Sequence, residues 1–461
     1  MLSQGIIIAR ATAAGTSAIA VIRLSGTGSI SLVSRFFSPV SKKNIEDCES
    51  HTLHLGHLNK KDDQQPLDEV LVSLFKAPKS YTGEEVVEIS CHGSNYIQQE
   101  ILQLFLKTEE CRMAEAGEFT LRAFLNGKMG LDQAEAVADL IASENEASHR
   151  IAMSQMRGGF HHQINNLRKE LIEFASLIEL ELDFSTEDVA FADRTQLHNL
   201  LEKLKTSIRS LLDSFALGNV LKNGVPIAIV GAPNVGKSTL LNALLNEERA
   251  IVSSIAGTTR DTIEDEISID GIRFRFIDTA GIRQTSDEIE QIGIHKTLEK
   301  MQQASLVLYL LEAKDYNASK KEEIQEFCQT QHIDPENVLV VLNKIDIQKP
   351  AVTQINKEST FFISAQNGEG IDILRNKLSS LVQLGNLNHT DVVVSNSRHF
   401  NALNASLTAV LNIQEGLTNE LSGDLMAIDL REAIYHLGEI TGSVTTDDLL
   451  GSIFSNFCIG K

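Results

Sequence analysis

The sequence predicts a multidomain chain of mixed α/β and α class. An α+β domain opens it, and an α/β domain is inserted into a discontinuous helical one. Three observations carry this. Residues 1–126 alternate apolar and polar positions with period two, in IIIAR, AIAVIRL, HTLHLGHL, DEVLVSLF and EEVVEIS. Apolar residues recur at spacings of three and four from about 131 and again after 395. Between those helical stretches, IAIVGAPNVGKS (227–238) runs from an apolar strand through a glycine-bounded loop into a helix start. The expected boundaries are 1–126 for the α+β domain, 127–221 and 386–461 for the two helical parts, and 222–385 for the insert. Insertion is tolerated where the inserted domain's ends lie close together.

At 461 residues the chain is too long for one ordinary domain. No run of 18 apolar residues exists, so no membrane span is expected, and MLSQGIIIARA has no basic stretch before its apolar run, so it does not read as a signal peptide. Cys48, Cys91, Cys111, Cys328 and Cys458 are odd in number and lack CxxC spacing. That predicts reduced thiols, a cytoplasmic setting and no structural zinc. A net charge of −21 gives no whole-protein attraction for nucleic acid, so an RNA partner must be held by a local basic patch or by a second protein.

In the N-terminal domain, helices are expected near 28–37 and 95–107. Arg23, Glu88 and Lys128 each read, taken singly, as solvated charges, and His92 as a turn histidine. Gly127 to Gly130 gives G-x-x-G, but surroundings that are not basic argue against an RNA-binding KH loop. Asp132 with Glu135 reads as a capping box at the start of the helical domain. Ile164, Leu167, Leu171, Phe174, Ile178 and Leu182 form one apolar helix face, and Gly158–Gly159 marks a break. ELDFSTEDVAFAD reads as an acidic turn before a helix at about 194–216.

Gly231, Gly236, Lys237 and Ser238 fit G-x-x-x-x-G-K-S/T, the phosphate loop. Glycines let backbone N–H groups close around phosphate oxygens, and the helix start adds partial positive charge. Lys237 reaches the β- and γ-phosphates, the Ser238 hydroxyl suits Mg²⁺, and Val235 and Thr239 complete the loop. Further elements follow in the order a Ras-like guanine-nucleotide domain requires. IRFRFIDTAG ends in Asp278, Thr279, Ala280 and Gly281, an acidic residue for the Mg²⁺ shell and a glycine N–H for the γ-phosphate. VLVVLNKID ends in Asn343, Lys344, Ile345 and Asp346, whose carboxylate accepts from guanine N1–H and N2–H₂, donors adenine lacks. Ser364 and Ala365 in FFISAQ read as the loop over guanine O6. GTP is the expected substrate.

In Ras-like proteins a Gln after the DxxG glycine orients the attacking water. Here that position is Ile282, which has no polar atom. Three readings stand level. Hydrolysis is minimal; or a monovalent cation on Asn234 and the oxygen-rich segment 253–261 neutralises charge; or the acidic tract holding Asp287, Glu288 and Glu290 places water.

GAPNVGKS, SIAGTTRD, DTAG followed by IRQTSDEIEQIGI, and the ending DDLLGSIFSNFCIGK together resemble the MnmE (TrmE) family of tRNA-modification GTPases. ATAAGTSAIAVIRLSG, SYTGEEVVEIS and AGEFTLRAFLNGK extend the resemblance over nearly the whole chain. The resemblance implies a homodimer joined through tetrahydrofolate-binding-like N-terminal domains. Its 5-formyl-tetrahydrofolate contacts fall on Arg23, Glu88, Lys128 and Lys461. It implies K⁺ on Asn234, Ser253, Ile255 and Thr258, and Mg²⁺ on Ser238 and Thr259, with Ser254, Ala256 and Gly257 completing that GTP segment. Glu290 matches the family's water-positioning glutamate. With an FAD-dependent partner, MnmG, such proteins add an aminomethyl or carboxymethylaminomethyl group to C5 of the wobble uridine of certain tRNAs, and that partner can carry much of the RNA grip. The apolar tail (Ile453, Phe454, Phe457, Ile459) is expected to dock near the folate pocket, with Cys458 close to the chemistry in a catalytic or structural role. A reading from another class is an Era-like ribosome-assembly switch, disfavoured by the lack of a basic RNA domain.

Overall fold

The structure is a computed structural model and describes residues 5–60, 66–183, 194–246, 264–270, 272–278, 304–348, 359–381, 393–419 and 421–460. It divides into two compact units. One comprises Met1–Ala142, Ala152–Ser210 and Arg398–Lys461; the other comprises Ser143–Ile151 and Leu211–Ser397. No helix among the described residues is long and apolar enough to cross a membrane.

The first unit contains seven strands: β1 (Ile6–Arg10), β2 (Ile19–Ser25), β3 (Phe37–Pro39), β4 (Thr52–Asn59), β5 (Pro66–Phe75), β6 (Val86–His92) and β7 (Cys111–Met113). They form one sheet in the order β3-β4-β5-β6-β2-β1-β7, antiparallel except for β1 with β7. The apolar run of β1 reflects burial on both faces. Ile6 and Ile8 join a core with α1 (Ser29–Ser34) and α2 (Asn95–Leu106), while Ile7 and Ala9 pack against Phe119 of α3 (Glu118–Leu125). The five strands read from alternation are present. The helix expected to reach 37 stops at Ser34, because Phe37 begins an edge strand.

Besides α1, α2 and α3, this unit holds α4 (Leu131–Ala142), α6 (Gly159–Asp183), α11 (Ser397–Thr418), α12 (Gly423–Thr441) and α13 (Asp447–Phe454), with parts of α5 (Glu146–Met156) and α7 (Arg194–Asn223). The predicted face of α6 is buried at Ile164, Leu167, Leu171, Phe174 and Ile178, and Gly158, at φ +86°, separates α5 from α6. Two readings need correction. α7 runs to Asn223, not 216. The capping box is displaced, because the Gly130 N–H donates to Gln133 Oε1 (2.9 Å) before the helix begins at Leu131. Asp132 instead accepts from His161 Nδ1 at 2.8 Å. Glu135 is buried against Arg398 and His399, where Arg398 Nε and Nη2 donate to its two oxygens at 3.0 and 2.6 Å and His399 Nε2 lies 2.8 Å away.

The second unit holds β8 (Val225–Val230), β9 (Glu264–Ile269), β10 (Ile272–Asp278), β11 (Leu306–Glu312), β12 (Val338–Asn343) and β13 (Thr360–Phe362), with helices α8 (Lys237–Asn246), α9 (Ala318–Gln331) and α10 (Ile371–Leu381). The sheet order is β13-β12-β11-β8-β10-β9, parallel except for β9. Ile227, Leu308 and Val341 face a core with α8 and α10; Ala228, Tyr309 and Leu342 face one with α9. Burial on both faces is what a parallel sheet demands, and it explains why these strands read as unbroken apolar runs. Ligands in such sheets bind outside the carboxyl ends of the strands, where β8 and β12 deliver the predicted motifs.

Candidate functional site

The loop after β8 turns through two left-handed residues, Asn234 at φ +64° and Gly236 at φ +99°. Gly236 must be glycine here, since a Cβ would lie 2.4 Å from Asn343 Nδ2. α8 then begins at Lys237, so its unpaired N–H groups point into the loop, the arrangement that binds phosphate. The Lys237 ammonium donates to Gly231 O at 2.7 Å, arching over the loop. Ser238 and Thr239 are exposed at the helix start, and Val235 is buried beneath.

The end of β12 ties three motifs together. Asn343, itself buried, donates from Nδ2 to Val235 O at 2.8 Å and accepts from Ala365 N at 3.0 Å. Lys344 reaches back to Asn234 O at 2.9 Å. Ser364 is fully buried, while the Asp346 carboxylate is exposed and available to a base. Thus the structure brings the phosphate loop, NKID and the Ser364–Ala365 loop into one hydrogen-bonded group. Asp278 closes β10 in register with Ile229 of β8. Ser253, Ser254, Ile255, Ala256, Gly257, Thr258, Thr259, Thr279, Ala280, Gly281 and Glu290 lie outside the described residues. Of the cation donors, Asn234 and Ser238 offer exposed oxygens at the loop and the helix start, a donor chemistry that suits hard cations.

A second constellation lies in the other unit. Arg23 and Glu88 are cross-strand partners on β2 and β6, joined at 2.8 Å from Nε and 2.7 Å from Nη2. Their side chains are 15% and 26% exposed, so the pair presents both a cation and an anion. The guanidinium lies 5.6 Å from the ring centroids of both Tyr81 and Phe119. Tyr81 was not legible as a site residue. Burial raises its hydroxyl pKa, and the hydroxyl pairs with Thr120 Oγ1 at 2.9 Å. Lys128 donates to Pro78 O at 3.0 Å, on the loop that carries Tyr81, and not to the Arg23–Glu88 pair.

The tail docks on this region. Ile459 forms an antiparallel bridge with Ala116, Phe454 and Phe457 are buried with Leu131 and Ala134, and Arg23 Nη1 donates to Gly460 O at 3.4 Å. Gly460, at φ +100°, allows this approach; a Cβ there would lie 2.2 Å from Arg10 O. Cys458 is an exposed thiol whose carbonyl accepts from Gly117 N, and Lys461 lies outside the described residues. Cys91 and Cys111 are different: burial pushes their thiols up to about 11 and about 12, which leaves them inert.

Comparison with known proteins covers both units. Residues 6–128 match the family described as GTP-binding protein TrmE N-terminus, and residues 131–458 match the MnmE helical domain. Three proteins named tRNA modification GTPase MnmE are similar along their whole length. That of Flavobacterium johnsoniae is 56% identical with 100% of each chain covered. That of Christiangramia forsetii is 55% identical over 99% of each, and that of Bacteroides thetaiotaomicron is 48% identical over 100% of each. The match at this identity runs through the N-terminal domain, the helices and the nucleotide unit alike, and the chain belongs to the MnmE family of tRNA-modification GTPases.

Proposed function

We propose that this chain is a potassium-dependent GTPase which, with an FAD-dependent MnmG partner, modifies C5 of the wobble uridine of certain tRNAs using a tetrahydrofolate one-carbon unit. The observation that carries the reading is the coexistence, in one chain, of the stitched phosphate-loop site and the Arg23–Glu88 pair under the docked tail. In the first site Asp346 selects guanine, and Lys237 and the α8 N–H groups hold the phosphates. Mg²⁺ on Ser238 and Thr259, and K⁺ on Asn234, Ser253, Ile255 and Thr258, supply charge compensation when bound. Glu290 places the water that Ile282 cannot. In the second, Arg23, Lys128 and Lys461 suit the glutamate tail of 5-formyl-tetrahydrofolate, and Glu88 suits its pterin N–H groups. The chain acts as a homodimer in the cytoplasm. Cys458 stands beside the one-carbon site.

The test is nucleoside mass spectrometry of bulk tRNA from a strain lacking the gene. C5-aminomethyl-type wobble uridines should vanish and return with the wild-type gene. An unchanged profile with ribosomal subunit defects would instead favour the Era-like assembly switch.

Two finer expectations arise here. Phosphate release should be much faster in potassium than in sodium, and Asn234→Ala should narrow the gap; equal rates in both salts would remove the potassium assignment. Arg23→Ala should weaken 5-formyl-tetrahydrofolate binding by at least about tenfold in calorimetry while GTP affinity stays put, since it removes a partly buried charge-assisted partner. Unchanged folate affinity would move that site elsewhere.

A further inference from the structure

We propose that Glu312 is a positioning residue of the nucleotide site, holding Lys344 and, through it, the phosphate loop at Asn234. The proposal rests on the reading of Lys344 as part of that site. Glu312 closes β11 in register with Asn343 of β12, so its side chain stands beside the NKID turn. It is 18% exposed, and its described contacts are two lysines. Oε1 takes the Lys344 ammonium, and Oε2 takes Lys314 at 2.8 Å. The hydrogen bonds from Lys314 and then Lys344 hold its carboxyl below the usual range. Lys344 is left-handed at φ +65°, and its ammonium continues to Asn234 O.

The contacts therefore run from carboxylate to ammonium to carbonyl to loop. A lysine stem has four rotatable bonds and a strongly hydrated head. A single neutral carbonyl competes poorly with water for it, whereas a carboxylate fixes it. Without Glu312 the Lys344 head is free to leave Asn234, and the left-handed turn that shapes the loop loses a tie on its outer side. The second lysine gives a built-in control: Lys314 shares the carboxylate but touches neither NKID nor the loop in the described contacts.

The experiment is binding of a fluorescent GDP analogue to the full chain at fixed Mg²⁺ and K⁺. Glu312→Gln should weaken binding about tenfold, mostly through faster dissociation. Added to Lys344→Met, Glu312→Gln should cause no further loss, and Lys314→Ala should bind as the wild type does. A coupling that vanishes in the absence of Lys344 is not what general destabilisation of the unit would produce. Wild-type affinity in Glu312→Gln overturns the proposal, as does an undiminished loss in the Lys344→Met background or an equal loss in Lys314→Ala. If Lys344→Met alone leaves affinity intact, it is the reading of Lys344 that fails. Should the Gln variant misfold, Glu312→Met, uncharged and of similar length, takes its place in the same cycle.

Discussion

Replacing Lys237 by alanine is expected to lower GTP turnover by at least a hundredfold and, in a complemented deletion strain, to leave tRNA without its wobble modification. Lys237 is the one side-chain cation of the phosphate loop, and its ammonium already lies across the loop at Gly231 O. Charge develops on the transferred phosphoryl oxygens during hydrolysis, and a fixed cation there lowers the barrier. Removing one such preorganised partner costs roughly 10²–10³ in rate. The strand, the loop glycines and α8 are untouched, so the fold should persist. Phosphate release measured beside circular dichroism separates the two effects. Turnover within a few fold of wild type would mean that the backbone N–H groups and bound cations carry the charge alone.

The largest stability effect is expected at Glu135→Ala. The Glu135 side chain is 11% exposed and is gripped by Arg398 through both oxygens, with His399 against one of them. Truncation leaves a guanidinium and a buried imidazole without their anion, which costs about 3–5 kcal/mol when one partner of a buried pair is removed. Arg398 also donates to Glu439 O and Ile440 O, so the lower end of that range applies. A melting midpoint about 6–12 °C lower follows for a unit of this size. Burial alone would raise the Glu135 carboxyl, but the charge and hydrogen bonds of His399 and Arg398 outweigh it and bring it to about 2. The folded value lies below the unfolded one, so the stabilisation is full above about pH 4.3 and is lost as pH falls toward 2. Wild type should therefore show an acid-induced loss that Glu135→Ala lacks; parallel acid limbs would sink this account.

The nucleotide unit was legible because its motifs are short, ordered and tied to strand ends. Asn343, Lys344 and Asp346 need only the end of β12 to be placed. In the N-terminal sheet β2, β4, β5 and β6 were legible by alternation and β1 by its apolar run, whereas β3 and β7, at three residues, are too short to show a period. What eluded the sequence was pairing at a distance. Glu135 was read locally, as half of a capping box, because Arg398 and His399 lie over 260 residues away, within a stretch that reads only as a helical stripe. Tyr81 carries no motif weight, and only the fold sets its ring beside Arg23. Lys128 has a family match, but in this structure it serves the Pro78 loop.

The bond from Arg23 to the Gly460 carbonyl joins residues 437 positions apart. During synthesis that separation becomes time. At about 5–20 residues per second, the second partner leaves the ribosome on the order of a minute after the first. Through that interval the sheet can form, but the surface that receives Phe454 and Phe457 stays open, with Leu131 and Ala134 uncovered. The nucleotide unit, whose last residue is Ser397, also leaves the ribosome ahead of Gly460, so the Arg23 pocket is closed last. Any product that stops short of the tail would keep its phosphate loop but lack the Gly460 carbonyl that Arg23 holds.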